Sequence, residues 1–331
     1  MKADRISKTP RWAWIIGALV LLLGLTGTLL GALPERPCPV GPAGGNPPRE
    51  AHRAVLFEGY EIVAALKAWD RVAGISSYAY GNDLLKQVVP HLEQIPSPGT
   101  GFVVNAESLL ALKPDMVVTW DRKPDQVDFM RRQGIPVTLI YPEGLADLYR
   151  DTLRLGRLLG QPERAEKVTQ LMARNLEALR QRLAKIPAAA HPQVVWLWGK
   201  STTITGNKGV VGELIPLAGG INLGSQVDNF NQELSMETLV ELNPEVVLIW
   251  GSASYGVPDL LRDPKWQTIR AVKMGRVFKA SRASTWSPRV VVLAWWMAHC
   301  FFPQEISPTE YRQAVDAFYR ECFGIPYEGT P

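Results

Sequence analysis

The sequence predicts an α/β protein with two related α/β lobes, joined by a single long α-helix and separated by a cleft. Three observations support this prediction. A length of 331 residues exceeds what one small hydrophobic core usually serves and suits two lobes. Short apolar runs alternate with helical stretches from Arg53 onward, as in α/β proteins. One sequence pattern also occurs twice, as expected when two lobes share one design.

The N-terminus predicts export from the cytoplasm. Basic side chains precede an almost wholly apolar run over residues 12–33, which is long enough to span a bilayer. Residues 1–33 are expected to form a signal peptide or an uncleaved signal anchor. Both alternatives stay open, because the small-residue cleavage pattern is weak. Residues 34–52 are rich in Pro and Gly, which is typical of a tether.

The predicted lobes cover residues 53–160 and 188–331, and the interlobe helix lies within residues 161–187. Apolar residues three or four apart predict helices over Leu145–Leu159 and Glu163–Lys185. Strands are predicted at the short apolar runs Ala54–Phe57, Val72–Ile75, Met116–Trp120, Val137–Ile140, Gln193–Trp198, Val246–Trp250 and Arg276–Ala280.

The repeated pattern runs from Asn105 to Trp120 and again from Ser235 to Trp250. Glu, two Leu, Pro, Val and Trp match between the two copies. Each copy predicts a capped short helix, a Pro turn and a buried strand that ends in Trp. The repeat therefore indicates two lobes of related design that face each other.

Composition and motifs exclude several function classes. The chain is 46% hydrophobic and 21% charged with a net charge of +4, as in a folded protein, and it has no basic stripe that would favour nucleic acid. It lacks a Walker loop and a complete dinucleotide motif, and its four histidines are too far apart for a zinc pair. We therefore expect neither catalytic residues nor a resident metal or cofactor.

Three cysteines are too few for a disulfide scaffold. Cys300 and Cys322 are expected either to form a disulfide in an oxidising compartment or to be two buried thiols.

The segment from Asn105 to Val118 resembles the signature of class III periplasmic binding proteins, which serve importers of ferric siderophores, haem and cobalamin. Further similar segments follow in family order at residues 71–78, 214–222, 271–278, 287–289 and 318–323. The resemblance spans residues 53–327. It implies a monomer that holds its ligand at the lobe interface, with an ABC importer permease and its ATPase as partners.

This resemblance implies capture of a metal chelate, with a ferric siderophore ahead of cobalamin and haem and with molybdate or tungstate as alternatives. The other functions considered are a chelatase-like enzyme and a membrane-anchored extracytoplasmic adaptor. A chelatase would need a catalytic His or carboxylate pair in the cleft, which the sequence does not show.

The ligand is expected at loops that follow the strands, where aromatic faces and glycines allow close contact. The candidate residues are Glu58, Tyr60, Tyr78, Tyr80, Gly99, Thr100, Gly101, Trp198, Phe230, Trp250, Tyr255, Trp286 and Arg289. The basic residues assigned near the cleft are Arg122, Lys200 and Arg289, and Arg289 has a structural role as its alternative. The resemblance also implies that Glu107 and Glu237 dock into the permease, although a carboxylate in a first helical turn also suits the helix dipole.

Overall fold

Two β-sheets organise the part of the chain that the computed structural model describes, residues 50–120 and 123–329. The predicted N-terminal segment, residues 1–33, and nearly all of the tether lie outside the described residues. Within the described ranges, no helix combines the length and apolar character needed to cross a membrane.

The first sheet is wholly parallel, in the order β2-β1-β3-β4. Its strands are β1 (Ala54–Leu56), β2 (Val72–Ile75), β3 (Met116–Thr119) and β4 (Val137–Leu139). The helices of this half are α1 (Tyr60–Leu66), α2 (Asp83–Val88), α3 (Ala106–Ala111), α4 (Pro124–Arg132) and α5 (Leu145–Leu158). Since the four strands run in the same direction, their carboxyl ends all lie at one edge of the sheet.

The second sheet has the order β10-β9-β5-β6-β8, and β7 also pairs with β5. Its strands are β5 (Gln193–Leu197), β6 (Thr203–Thr205), β7 (Ile221–Asn222), β8 (Asn231–Glu233), β9 (Val246–Ile249) and β10 (Val277–Lys279). β6 runs antiparallel to both of its neighbours, β5 and β8, whereas β5, β7, β9 and β10 run parallel to one another. The helices that follow in this half are α7 (Val210–Leu217), α8 (Met236–Leu242), α9 (Val257–Arg262), α10 (Arg270–Lys273), α11 (Val290–Phe301) and α12 (Pro308–Phe323).

Two α-helices, α5 and the longer α6 (Pro162–Leu183), lie in the chain between the last strand of the first sheet and the first strand of the second. The buried residues of α6 recur three or four apart, from Ala165 to Leu183, so they form one apolar face. Pro162 occupies its first turn, where the missing N–H costs nothing. That this helix alone joins two lobes stays a prediction.

Each sheet buries one face in a shared core and the other in a core of its own. Leu56 of β1, Met172 of α6 and Trp196 of β5 belong to the same apolar cluster. Val117 of β3 and Val247 of β9, which point the opposite way, belong to separate clusters. This follows from the two-residue alternation of side chains along a strand.

The two repeat copies form matching elements. α3 and β3 come from the first copy, and α8 and β9 from the second. The N-cap side chains of Asn105 and Ser235 accept hydrogen bonds from the backbone N–H of Ser108 and Thr238, at 2.8 and 3.1 Å. The helix–turn–strand prediction is therefore confirmed in both copies.

All seven predicted strands and both predicted long helices are present, with ends shifted by no more than a few residues. Among the strands of the described residues, β6, β7 and β8 were not predicted, since they are short and β8 is fully exposed. Cys300 and Cys322 are free, buried thiols, so the disulfide alternative is wrong.

Candidate ligand-binding site

A cavity of about 900 Å³ lies where the parallel strands of both sheets end. Most of its wall consists of residues that immediately follow a strand. The residues after β1, β2 and β3 are Phe57, Glu58, Ser77, Tyr78 and Trp120, and those after β5, β9 and β10 are Trp198, Gly199, Trp250, Ser252 and residues 282–286. The carboxyl edge of a parallel sheet is the usual place for a ligand, because the loops there are free to vary.

Aromatic side chains dominate the wall. Trp198 and Trp250 contact each other edge to face, with ring centroids 5.6 Å apart. Tyr141, which follows β4 of the first sheet, packs edge-on against Phe230 and Trp286 of the other half at 4.9 and 5.0 Å. Ring contacts therefore connect the two halves beside the cavity and hold these aromatic groups in fixed orientations.

Two acidic side chains, Glu58 and Glu61, and two basic ones, Lys208 and Arg282, line the cavity. Burial raises the pKa of Glu58 from 4.5 to about 7, against a lowering effect from the Gly59 N–H, and nearby Glu61 raises it further. Lys208 and Arg282 are the cations of the wall, and Lys208 lies 3.4 Å from Asp228. The cavity is therefore apolar over most of its surface, with two carboxyl groups, Glu58 and Glu61, on one half and two cations on the other.

The start of α7 forms part of the wall and is held against the first half of the chain. The Gly209 N–H donates to the Glu143 carbonyl at 2.9 Å, and the Leu145 N–H donates to Glu213 Oε2 at 2.8 Å. Gly209 has φ of 85°, and a Cβ there would lie 2.8 Å from the Phe230 ring. Glycine is therefore required at this position by both the backbone and the close ring contact.

Six predicted ligand residues are brought together at the cavity. They are Tyr60, Tyr78, Trp198, Phe230, Trp250 and Trp286. Glu58, also considered from the sequence, lines the same wall.

The other predicted ligand residues lie outside the cavity wall. Tyr80 donates its hydroxyl to the Ile95 carbonyl at 2.6 Å, and Tyr255 donates to the Trp198 carbonyl at 2.7 Å. The loop of Gly99, Thr100 and Gly101 lies behind the wall, where the Thr100 carbonyl accepts from Ser76 and Gly101 packs against Phe57 and Trp120.

Of the two roles expected for Arg289, ligand contact or a structural role, its position agrees with the structural one. Its guanidinium is buried and bound to Glu61 and Asp83 rather than facing the cavity. Lys200, expected near the cleft, is exposed and paired with Glu233 at 2.8 Å, and Arg122 lies outside the described residues.

Sequence reasoning missed several wall residues, including Phe57, Phe102, Trp120, Lys208 and Arg282. Trp120 had a usable signal, because it is the repeat counterpart of Trp250, which was predicted. Arg282 follows a predicted strand, so the expectation that ligand residues lie in loops after strands could have included it. Lys208 lies in a loop with no distinguishing motif.

An α/β fold with two sheets, and a cavity where the strands of both sheets end, is the arrangement of a solute-binding protein. A family model described as periplasmic binding protein matches residues 57–284, more than half of the chain. This chain belongs to that family. The resemblance to class III periplasmic binding proteins is thereby confirmed.

Individual relatives support this assignment. The molybdate-binding protein MolA of Haemophilus influenzae is 25% identical over 312 residues, which cover 85% of this chain and 88% of MolA. The vitamin B12-binding protein of Yersinia pestis is 25% identical over 59% of this chain and 67% of its own length. The structure of Helicobacter pylori CeuE with Ni(II) bound has a TM-score of 0.76 and 26% identity, and covers 85% of this chain and 92% of CeuE.

Proposed function

We propose that this chain is the substrate-binding component of an ABC importer, which captures a metal chelate and delivers it to a permease and its ATPase. The aromatic cavity of about 900 Å³ carries the proposal. This volume falls in the upper part of the range of small-molecule sites, roughly 300–1,000 Å³. Aromatic faces from both halves offer the organic shell of a chelate a large contact area, while a few polar groups fix its orientation.

A ferric siderophore is our first candidate among chelates, ahead of cobalamin and haem. Lys208 and Arg282 suit the negative charge that many ferric siderophores carry. The carboxylates of the wall oppose this charge only weakly. Glu61 is ion-paired with Arg289, and a pKa of about 7 leaves Glu58 about half protonated at neutral pH.

Molybdate or tungstate is the alternative ligand, favoured by the similarity to the molybdate-binding MolA over 85% of this chain. A small oxyanion would fill only a fraction of the cavity and would leave most of the aromatic wall without contact. The cavity therefore favours the larger chelate.

The relatives also bear on the other functions considered. They are solute-binding proteins rather than enzymes, which favours transport over a chelatase-like activity. Periplasmic relatives support an extracytoplasmic location. We also propose that residues 12–33 anchor the chain in the membrane and that the protein is a monomer. A membrane-anchored adaptor is the alternative function.

Glu107 and Glu237 are proposed as docking residues for the permease. Both are exposed in the first turn of their helices, at matching positions of the repeat. Leu110 and Val240, one turn further on, are also matched and remain 40% and 38% exposed. An acidic and an apolar group on each half would give a partner two equivalent contacts and thus a defined orientation.

Titration of tryptophan emission tests ligand capture. The full chain in detergent micelles is titrated with a ferric catecholate, a ferric hydroxamate, cyanocobalamin, haemin and sodium molybdate. We expect saturable one-to-one quenching by a chelate, because Trp120, Trp198, Trp250 and Trp286, out of 11 tryptophans, line the cavity.

Two matched variants locate the bound chelate. Trp286→Phe should weaken binding about fivefold, since the smaller ring loses part of the aromatic contact, at a cost on the order of 1 kcal/mol. Trp266→Phe should bind as wild type, because Trp266 is buried in the separate core of the second sheet. If only molybdate quenches the emission to saturation, the proposed ligand becomes the oxyanion instead of a chelate. If none of the five compounds quenches it, the proposed function is contradicted.

A further inference from the structure

A buried ion triad joins the two halves of the chain beside the cavity. It consists of Glu61 on α1, Asp83 on α2 and Arg289, the residue before α11. Arg289 Nη1 and Nη2 each lie 2.8 Å from an oxygen of Asp83, and Nη1 lies 3.2 Å from Glu61 Oε1. The side chains of Arg289 and Glu61 are 2% and 1% exposed, whereas Asp83 is 57% exposed.

Glu61 connects this triad to the cavity wall. Its carboxylate accepts hydrogen bonds from Ser287 Oγ at 2.6 Å, from Asn82 Nδ2 at 2.6 Å and from the Ser284 N–H at 3.4 Å. Ser284 lies within residues 282–286, which line the cavity, and Glu61 and Asn82 line it too. The carboxylate thus binds the base of a wall segment that belongs to the other half of the chain.

The charges of the triad are not explained by stability alone. Taking a guanidinium and a carboxylate out of water is costly, and apolar side chains of the same volume often stabilise a fold as well or better. Burial favours the neutral form of Arg289, but Glu61 and Asp83 outweigh it and raise the pKa of this guanidinium. What the bidentate geometry adds is a fixed direction and distance between the two halves.

We propose that the Glu61–Asp83–Arg289 triad is a positioning device that sets ligand affinity by holding residues 282–286 in their place in the wall. The part concerning affinity rests on the proposed function, because it requires that the cavity holds the ligand. The segment carries Arg282 and Trp286, so a shift of its base moves a cation and an aromatic face together.

Asp83 is the position at which to test the triad. It is half exposed and outside the cavity wall, so its replacement neither buries a lone carboxylate nor removes a ligand contact. Asp83→Asn keeps the shape but loses the charge-assisted bidentate pair, and Asp83→Glu keeps the charge. Asp70→Asn is the matched control, because it breaks the exposed Asp70–Arg71 pair, 3.4 Å long.

The first measurement is backbone hydrogen exchange of the ligand-free full chain. Asp83→Asn should accelerate exchange at the backbone N–H groups of residues 284–287 about tenfold. Asp83→Glu should keep most of the protection, and Asp70→Asn should exchange there as wild type does. Unchanged exchange there, or an even increase over the whole chain, would overturn the proposal. This measurement does not depend on whether any compound binds.

The second measurement is affinity for the five compounds of the titration. For the chelate that quenches the tryptophan emission of wild type, Asp83→Asn should lower the affinity about tenfold, mainly through faster release. Its thermal midpoint of unfolding should stay close to that of Asp70→Asn. Wild-type affinity in Asp83→Asn would overturn the link between the triad and binding. Absence of binding to wild type would instead reject the proposed function, and the exchange result would still decide the positioning role.

Discussion

At the residue scale, Glu58 is the ionisable group most altered by its place in the cavity wall. Its carboxyl follows β1 and accepts the Gly59 N–H at 2.9 Å, yet burial dominates and raises its pKa from 4.5 to about 7. The folded chain therefore binds this proton more tightly than the unfolded chain. The resulting stability is fully present below pH 4.5 and is lost as the pH rises to about 7.

Replacing Glu58 makes this contribution measurable. In Glu58→Gln the side chain does not ionise, so the free energy of unfolding should fall less between pH 4.5 and 7 than in wild type. Urea unfolding at several pH values measures both slopes. Asp151 also has a pKa raised to about 7 by burial, but its effect is common to both proteins and cancels in the difference. Parallel curves for the two proteins would show that Glu58 titrates normally.

Single residues were predictable where a local rule applied and not where a distant partner decides. Aromatic residues that end strands, such as Trp198 and Trp250, were assigned to the cleft from sequence and line the cavity. Arg289 was assigned there too, but Glu61, 228 positions away, accepts from its guanidinium. No spacing rule relates two residues that far apart, so the ion triad could not be predicted.

At the element scale, the two copies of the repeat are the clearest units of the molecule. α3 and α8 each begin with a side-chain cap, carry a glutamate in the first turn and bury one leucine, Leu109 or Leu239. Hydrogen bonds from its own backbone N–H and from Ser235 lower the pKa of Glu237, which keeps it ionised. The sequence pattern of each copy was sufficient to predict both helices, because the cap residue, the Pro turn and the apolar run are all local signals.

Neutralising the glutamates tests the docking role of these helices. Glu107→Gln and Glu237→Gln should each reduce transport in proteoliposomes that contain the cognate permease and ATPase, with the double variant reduced further. Each loss should be on the order of fivefold, as for a charge-assisted hydrogen bond. Ligand affinity should not change, since neither residue lines the cavity.

A control on the same surface separates docking from general charge effects. Glu241→Gln removes an exposed carboxylate from the end of α8 and should transport as wild type. Wild-type transport by the Glu107→Gln, Glu237→Gln double variant would refute the docking proposal.

At the scale of the whole molecule, the shared core couples the two sheets. The cluster that contains Leu56 and Trp196 is continuous through α6, so neither sheet buries its inner face without the other. The buried strands could be predicted one by one from their apolar runs, but the joining of both inner faces into one core could not. That outcome depends on how α6, α11 and α12 pack together, which a sequence pattern does not specify.

The shared core predicts one cooperative unfolding transition. Met172→Ala on α6, where the side chain is fully buried, should destabilise the protein by about 2–5 kcal/mol while leaving a single transition. Gln170→Ala, exposed on the same helix, should change stability by no more than about 0.5 kcal/mol. Far-UV circular dichroism and tryptophan emission should give the same midpoint. Separate midpoints for the two probes would mean that the halves unfold independently.

The two free cysteines have a consequence for how an exported chain matures. Burial raises the pKa of both Cys300 and Cys322 to about 12, so only about one thiol in 10⁵ is a thiolate at pH 7. Oxidants and disulfide-exchange enzymes react with the thiolate, and both sulfurs are also shielded by the packing of α11 and α12. Once the chain is folded, these two thiols stay reduced in an oxidising compartment. Whether Cys300 and Cys322 escape oxidation after translocation therefore depends on how fast α11 and α12 close over their sulfurs.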